Sequence, residues 1–136
     1  MSAKSVFIAQ TMFPHQLAEP SGIVFYENRN SLFVVGDEGD IEEIALDGRL
    51  IKGQRLMPAD FEGITYSKST GMLYIVIEGA NTILEISPQD FSLVREFDLD
   101  WKLEGSDILK PSAEAIEGIT FKPDTLHAVS YTHLTL

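Results

Sequence analysis

The side chains in this sequence whose types and spacing could do chemistry are carboxylates. Asp60 and Glu62 flank Phe61, Glu114 and Glu117 flank Ala115-Ile116, and Asp37 and Glu78 follow runs of apolar residues. Carboxylate oxygens are hard donors suited to Ca²⁺. Glu62 and Glu117 each stand directly before a Gly-Ile pair, with Ser21 in the same place in Pro20-Ser21-Gly22-Ile23. The candidate metal ligands are therefore Asp37, Asp60, Glu62, Glu78 and Glu117, with Ser21 and Glu114 as ligand-binding candidates. The competing reading is structural: each carboxylate would accept backbone N–H bonds and fix a loop.

Other chemistries find little support. There is no cysteine, which removes disulfides, thiolate metal sites and cysteine nucleophiles. No Gly-x-Ser-x-Gly elbow, Walker loop or His-Glu-x-x-His helix occurs. His15, His127 and His133 are scattered. Asp37-Glu38-Gly39-Asp40-Ile41-Glu42-Glu43 lacks the alternating ligands and distal glutamate of an EF-hand, and reads as a tight turn leading into a solvated strand face. Trp101 is expected to pack with Phe91, Phe97 and Leu99 at an edge of the fold.

These residues recur because the sequence repeats. Three segments open alike: Pro20-Ser21-Gly22-Ile23-Val24-Phe25-Tyr26, Phe61-Glu62-Gly63-Ile64-Thr65-Tyr66 and Ile116-Glu117-Gly118-Ile119-Thr120-Phe121. Gly22 and Gly63 are 41 residues apart, an offset that also lays Leu32-Phe33-Val34-Val35 on Leu73-Tyr74-Ile75-Val76. That offset also puts Asp37 and Glu78 at equivalent places, and one further residue of slip matches Ile41-Glu42-Glu43-Ile44 with Ile83-Leu84-Glu85-Ile86. The third opening comes 55 residues after the second, with the polar stretch from Asp100 to Ser112 absorbing the excess.

Within each unit, short runs rich in β-branched and aromatic residues alternate with turn clusters such as Glu27-Asn28-Arg29-Asn30. The strands expected are 22–26, 31–35, 41–46 and 50–56 in the first unit, and 63–66, 72–78, 82–86 and 93–97 in the second. Four short antiparallel strands per unit of about 40 residues predict an all-β fold: a partial β-propeller with about two and a half blades. A β-sandwich is the rival, but it gives no reason for Gly-Ile to recur. The organisation expected is an N-terminal arm or incomplete strand (1–18), a first blade (19–59), a second (60–99), a loop (100–113) and the start of a third (114–128). The glycines would let inner strands approach closely where blades converge.

Glu-Pro-Ser-Gly-Ile, Leu-Phe-Val-Val-Gly-Asp-Glu-Gly-Asp and Asp-Phe-Glu-Gly-Ile-Thr-Tyr resemble the strand openings of the SdiA-regulated, YjiK-like propeller family, over roughly residues 19–124. The resemblance implies a bacterial envelope protein, with a link to calcium in some members. Esterase-like phytase domains and NHL-type propellers use similar Glu-Gly-Ile openings. The last eight residues, 129–136, resemble a conceptual translation of transposase sequencing adaptor DNA, and are expected to be foreign to the repeat.

Charge and hydropathy complete the expectation. Against 10 basic residues stand 21 acidic ones, a formal charge of −11 that repels phosphate backbones and anionic head groups, so nucleic acid is not an expected partner. No apolar run approaches the roughly 18 residues that span a bilayer, and residues 1–16 lack the long apolar core of a secretory signal. The sequence therefore reads as cytoplasmic where the resemblance implies the envelope. The function expected is non-catalytic binding of a small ligand, a divalent cation such as Ca²⁺ or a protein at the channel face. The alternative is a metal-assisted esterase or phosphodiesterase of the esterase-like phytase type.

Overall fold

The structure, a computed structural model, describes residues 17–80, 82–98, 102–103, 106–107, 116–122 and 125–130. Strands β1 (Pro20–Tyr26), β2 (Ser31–Gly36), β3 (Asp40–Ala45) and β4 (Leu50–Arg55) form one antiparallel sheet in chain order. A second sheet repeats the arrangement with β5 (Phe61–Tyr66), β6 (Leu73–Ile77), β7 (Thr82–Ile86) and β8 (Leu93–Asp98). A two-residue pair, β9 (Lys102–Leu103) and β10 (Ser106–Asp107), precedes a third hairpin of β11 (Ile116–Lys122) and β12 (Thr125–Ser130). The strands expected from the sequence lie within about two residues of these bounds.

The repeat is visible in the register. Gly22 pairs with Val35, Gly63 with Val76 and Gly118 with Val129. Val129 and Ser130, assigned from the sequence to the adaptor-like segment, thus continue β12 opposite β11. In all three openings the register shifts just before the glycine, leaving Ser21, Glu62 and Glu117 as the extra residue of a β-bulge. A bulge kinks its strand and re-aims one side chain.

β5 lies between β1 and β11, so the inner strands of successive units pack together. Here glycine is required sterically. A Cβ at Gly22 would come within 3.0 Å of Gly63 Cα and Ile64 N, which are backbone atoms that cannot swing aside.

Between the first two sheets lies a core of Tyr26, Phe33, Val35 and Ile41 from one side and Phe61, Ile64, Leu73, Ile75 and Ile86 from the other. Tyr26 meets Tyr66 edge-on at 5.0 Å between ring centroids. Behind the second sheet, Tyr74, Val76 and Ile83 pack with Ile119 and Phe121 of β11. With both faces covered, β6 and β7 are buried almost throughout, whereas β4 and β8 are exposed rim strands.

Two expectations are corrected here. Glu42 and Glu43 do not form a solvated face: both are buried, Glu43 beneath Arg29, Ser31 and Lys52 and Glu42 against Gly53 of β4. Glu43 takes a two-pronged contact from Arg29 (Nε to Oε1 2.8 Å, Nη2 to Oε2 2.9 Å) and a hydrogen bond from Ser31 Oγ at 2.6 Å, with Lys52 Nζ 3.7 Å away. Burial pushes the Glu43 carboxyl upward, but these donors and charges outweigh it and hold it below its ordinary range. Phe91 and Phe97 do not share an edge cluster. Phe91 is buried beside Phe33 between the sheets, and Phe97 lies by Tyr74 on the opposite face; Leu99 and Trp101 lie outside the described residues.

Candidate carboxylate site between the first and second sheets

The site forms where β1 and β5 begin and β2 and β6 end. Because Pro20 pairs with Gly36 and Phe61 with Ile77, these four strand ends share one edge. Just beyond them, Asp37 N–H donates to the Glu19 carbonyl at 3.1 Å, and Glu78 N–H donates to the Asp60 carbonyl at 2.8 Å. These equivalent bonds anchor the backbone of Glu19 and Asp37 in the first unit and of Asp60 and Glu78 in the second. The turn after Asp37 closes through Gly39, as expected, with its N–H donating to the Gly36 carbonyl at 3.0 Å.

At the bulges the side chains diverge. Ser21 Oγ hydrogen-bonds the carbonyl of Val35 at 3.3 Å and that of Phe61 on the neighbouring sheet. It straps the two units together. Glu62, at the same bulge one unit later, turns toward Asp37 and Asp60. One carboxylate oxygen from each of the three lies within 4.8 Å of the others, and all three side chains are partly buried. Ca²⁺ with Ca–O distances of about 2.3–2.6 Å separates ligand oxygens by up to about 5 Å, so the spacing matches one coordination sphere.

The electrostatics are those of crowded acids. Burial, then contact with Glu78 and the charges of Glu78, Asp37 and Glu19, raises Asp60 to about 6. Glu62 is raised to about 7 by burial, then by the charges of Glu78, Asp60 and Asp37. Asp60 Oδ1 is buried and has no hydrogen-bond partner among the described residues. Like charges a few ångströms apart in a partly dry setting favour protons or a bound cation.

Of the residues singled out from the sequence, Asp37, Asp60 and Glu62 are thus brought together, with Glu78 acting on them. Ser21 stands at the equivalent bulge one unit earlier. Glu117 occupies the third bulge in the backbone register, and Glu114 lies outside the described residues. Sequence reasoning missed Glu19, whose charge acts on Asp60. The signal was present: Glu19 precedes Pro20 as Asp60 precedes Phe61.

No family model matches the sequence, and no curated protein matches it. Solved structures do. The chain aligns with Kuenenia stuttgartiensis hydrazine synthase at TM-score 0.59 and 14% identity, covering 88% of this chain and 30% of that one. The β-propeller domain of Cps50 (Swd1) from Myceliophteria thermophila gives 0.60 and 12%, covering 86% and 33%. Sqt1 from Saccharomyces cerevisiae gives 0.61 and 13%, covering 82% and 30%. The chain therefore spans about a third of the length of each. At such identities the likeness shows the fold alone: an all-β partial propeller of four-stranded antiparallel blades. No helix among the described residues is long and apolar enough to cross a membrane.

Proposed function

We propose that this chain supplies part of a non-catalytic propeller that binds a divalent cation, calcium by its oxygen donors, at the edge where its inner strands begin. Asp37, Asp60 and Glu62 would hold the ion, with Glu78 and Glu19 deepening the negative potential. The reading rests on the convergence of three carboxylates within 4.8 Å, two of them raised by burial and then by the charges of neighbouring acids, Glu78 first among them. In the register Glu78 stands to Glu117 as Asp37 stands to Glu62, so a second acidic edge belongs to the proposal. Glu114, which precedes the third opening in the sequence, is kept as a ligand-binding candidate of the proposal. The Gly-Ile openings support kinship with SdiA-regulated, YjiK-like propellers, and with it an envelope location. A small ligand or protein partner bridged through the ion fits the same edge.

The second reading is the metal-assisted hydrolase of the esterase-like phytase type. One observation favours it: a carboxyl held at about 7, like that of Glu62, suits general acid–base work at neutral pH. Phosphodiester turnover by the full chain with calcium, lost in Glu62→Gln, would support it.

The binding reading is tested by calorimetric titration of the 136-residue chain with calcium. Asp60→Asn and Glu62→Gln should each weaken binding by about tenfold or more, because each removes a charged donor. Glu38→Gln, at an exposed acid paired with Arg55, should leave it unchanged. Equal losses in all three, or no binding by the parent, would defeat it.

A further inference from the structure

Apolar packing by itself does not tell the first unit which neighbour to take. Phe33, Val35 and Ile41 of the first unit pack with Ile64 and Tyr66 of the second, whereas Tyr74, Val76 and Ile83 of the second pack with Ile119 and Phe121 of β11. Phe33 and Tyr74, Val35 and Val76, and Ile41 and Ile83 are repeat equivalents, as are Ile64 and Ile119 and Tyr66 and Phe121. The face that β11 and β12 present, or a face of another copy of the chain, therefore offers the first unit nearly the same apolar surface as its proper neighbour.

The polar contacts between the first two units are not interchangeable in this way. From the buried Glu43 carboxylate, Arg29 and Lys52 reach forward to the turn between β7 and β8. Arg29 Nη2 donates to the Pro88 carbonyl and Nη1 to Gln89 Oε1, each at 2.8 Å; Lys52 Nζ donates to the Pro88 and Gln89 carbonyls at 2.7 and 2.6 Å and lies 4.4 Å from the Phe91 ring centroid. The donors belong to the first unit: Thr70 and Met72 stand where Arg29 and Ser31 would recur, and Arg95, in the place of Lys52, lies exposed over Phe97. The receiving turn is equally particular to the second. It closes from Ser87 N–H to the Ser92 carbonyl at 2.9 Å, one residue longer than the equivalent turn from Ala45 N–H to the Arg49 carbonyl at 2.8 Å.

We propose that Arg29, Glu43 and Lys52 form a clasp that selects the second unit as the first unit's neighbour and rejects an equivalent apolar face, whether of β11 and β12 or of another copy of this chain. The selection works by penalty. Packed against a face without the Ser87–Ser92 turn, the two cations would be covered with their carbonyl acceptors missing, and a covered charge short of partners is costly. Ion pairs inside an interface contribute little net stability relative to apolar side chains of similar size, because desolvation offsets their attraction. What the clasp supplies is therefore a single arrangement among units whose apolar faces match.

The test removes all three charges together in the full chain, with Arg29→Met, Glu43→Leu and Lys52→Met, so that no ion is left without its partner. The triple variant should melt at or above the parent. Its amide spectrum should nevertheless show more than one resonance for residues of β2, β3, β6 and β7, or sedimentation should show a dimer that the parent does not form. Ile64→Ala, which weakens the same interface without touching the clasp, should keep one resonance per amide. A triple variant that stays monomeric with one resonance per amide, or that no longer folds, would overturn the proposal. A second comparison addresses the turn. Leu-Asp-Phe in place of residues 88–91 shortens it and keeps the ring. This change should raise the urea-unfolding equilibrium constant by about thirtyfold in the parent and by at most about threefold in the triple variant. Equal effects in the two backgrounds would show that the cations do not read the turn, and would also overturn the proposal.

Discussion

At the bulge that opens β1 stands Ser21, and at the equivalent bulge of β5 stands Glu62. The backbone places them identically, yet Ser21 ties two sheets together through carbonyls while Glu62 joins Asp37 and Asp60 in a cluster of crowded acids. The buried glutamates of the third strands diverge in a similar way. Glu43 is held by Arg29, Ser31 and Lys52, and Arg29 and Lys52 also reach the Pro88 carbonyl on the next sheet, at 2.8 and 2.7 Å. Its counterpart Glu85 pairs, among the described residues, with Arg95 at 2.9 Å, itself 61% exposed. The apolar pairs and the glycines fix the register, and the polar residues carried on that register are free to change from unit to unit. Function is therefore to be sought where equivalent positions differ.

The comparison is broken most severely at the apolar positions. Ile64→Ala, at a covered site, should destabilise by about 2–4 kcal/mol, while the equivalent Ile23→Ala should stay within about 0.5 kcal/mol. Urea unfolding of the two variants measures the difference. Equal losses would mean that the outer face of the first sheet is already covered.

A smaller difference is expected at the buried acids. Glu43→Ala should cost about 2–3 kcal/mol, because it strips three donors of their acceptor inside an interface. Glu85→Ala should cost about 1 kcal/mol, since Arg95 returns readily to water. A double-mutant cycle with Arg29→Ala should show strong coupling at Glu43. Additive losses would show that Arg29 acts only through its packing on Tyr26, over whose ring its guanidinium lies at 4.8 Å.

Much of this architecture was legible in the residues. Gly-Ile at each opening and the aligned Leu-Phe-Val-Val and Leu-Tyr-Ile-Val runs report the packing that a propeller demands, and Asp37 and Glu78 were found equivalent through that alignment. The bulges were not legible, because a one-residue shift in hydrogen-bond register leaves no mark on composition. The burial of Glu42 and Glu43 was hidden for a related reason. Alternation separates buried from solvated positions only when a strand's polar side chains meet water, and in β3 the carboxylates are themselves buried, Glu43 among its donors and Glu42 against Gly53. Lys52, directly across from Glu43 in β4, was the available clue to a buried ion pair. Glu19 was overlooked since its repeat position holds Asp60 in one unit and Ala115 in another.

The acid cluster sharpens the comparison through pH. Glu62 and Asp60 have folded-state values raised to about 7 and about 6, above their unfolded values, so the folded state binds more protons than the unfolded state across this range. Stability should therefore fall as pH rises from about 4.5 to about 7 and then level off. Glu62→Gln, with chelator present, should match the parent at pH 4 and melt above it at pH 8. Glu43, held below its ordinary range, acts in the opposite sense: its contribution is lost as pH falls through its folded value, so Glu43→Gln should lose its penalty only in acid. A parent whose stability rises steadily from pH 5 to 7.5 would show that Glu62 does not share its pocket with other charges.

Calcium binding to this cluster must displace the protons that crowding retains. Titration calorimetry of the full chain in two buffers of different ionisation enthalpy counts them. Near pH 6.5 the account predicts release of about one proton per calcium bound, falling toward zero by about pH 8.5, with the release cut to about a quarter in Glu62→Gln, where only Asp60 still gives one up. Calcium binding with no proton release at pH 6.5, and unchanged in Glu62→Gln, would place the ion elsewhere and contradict the assignment of this site.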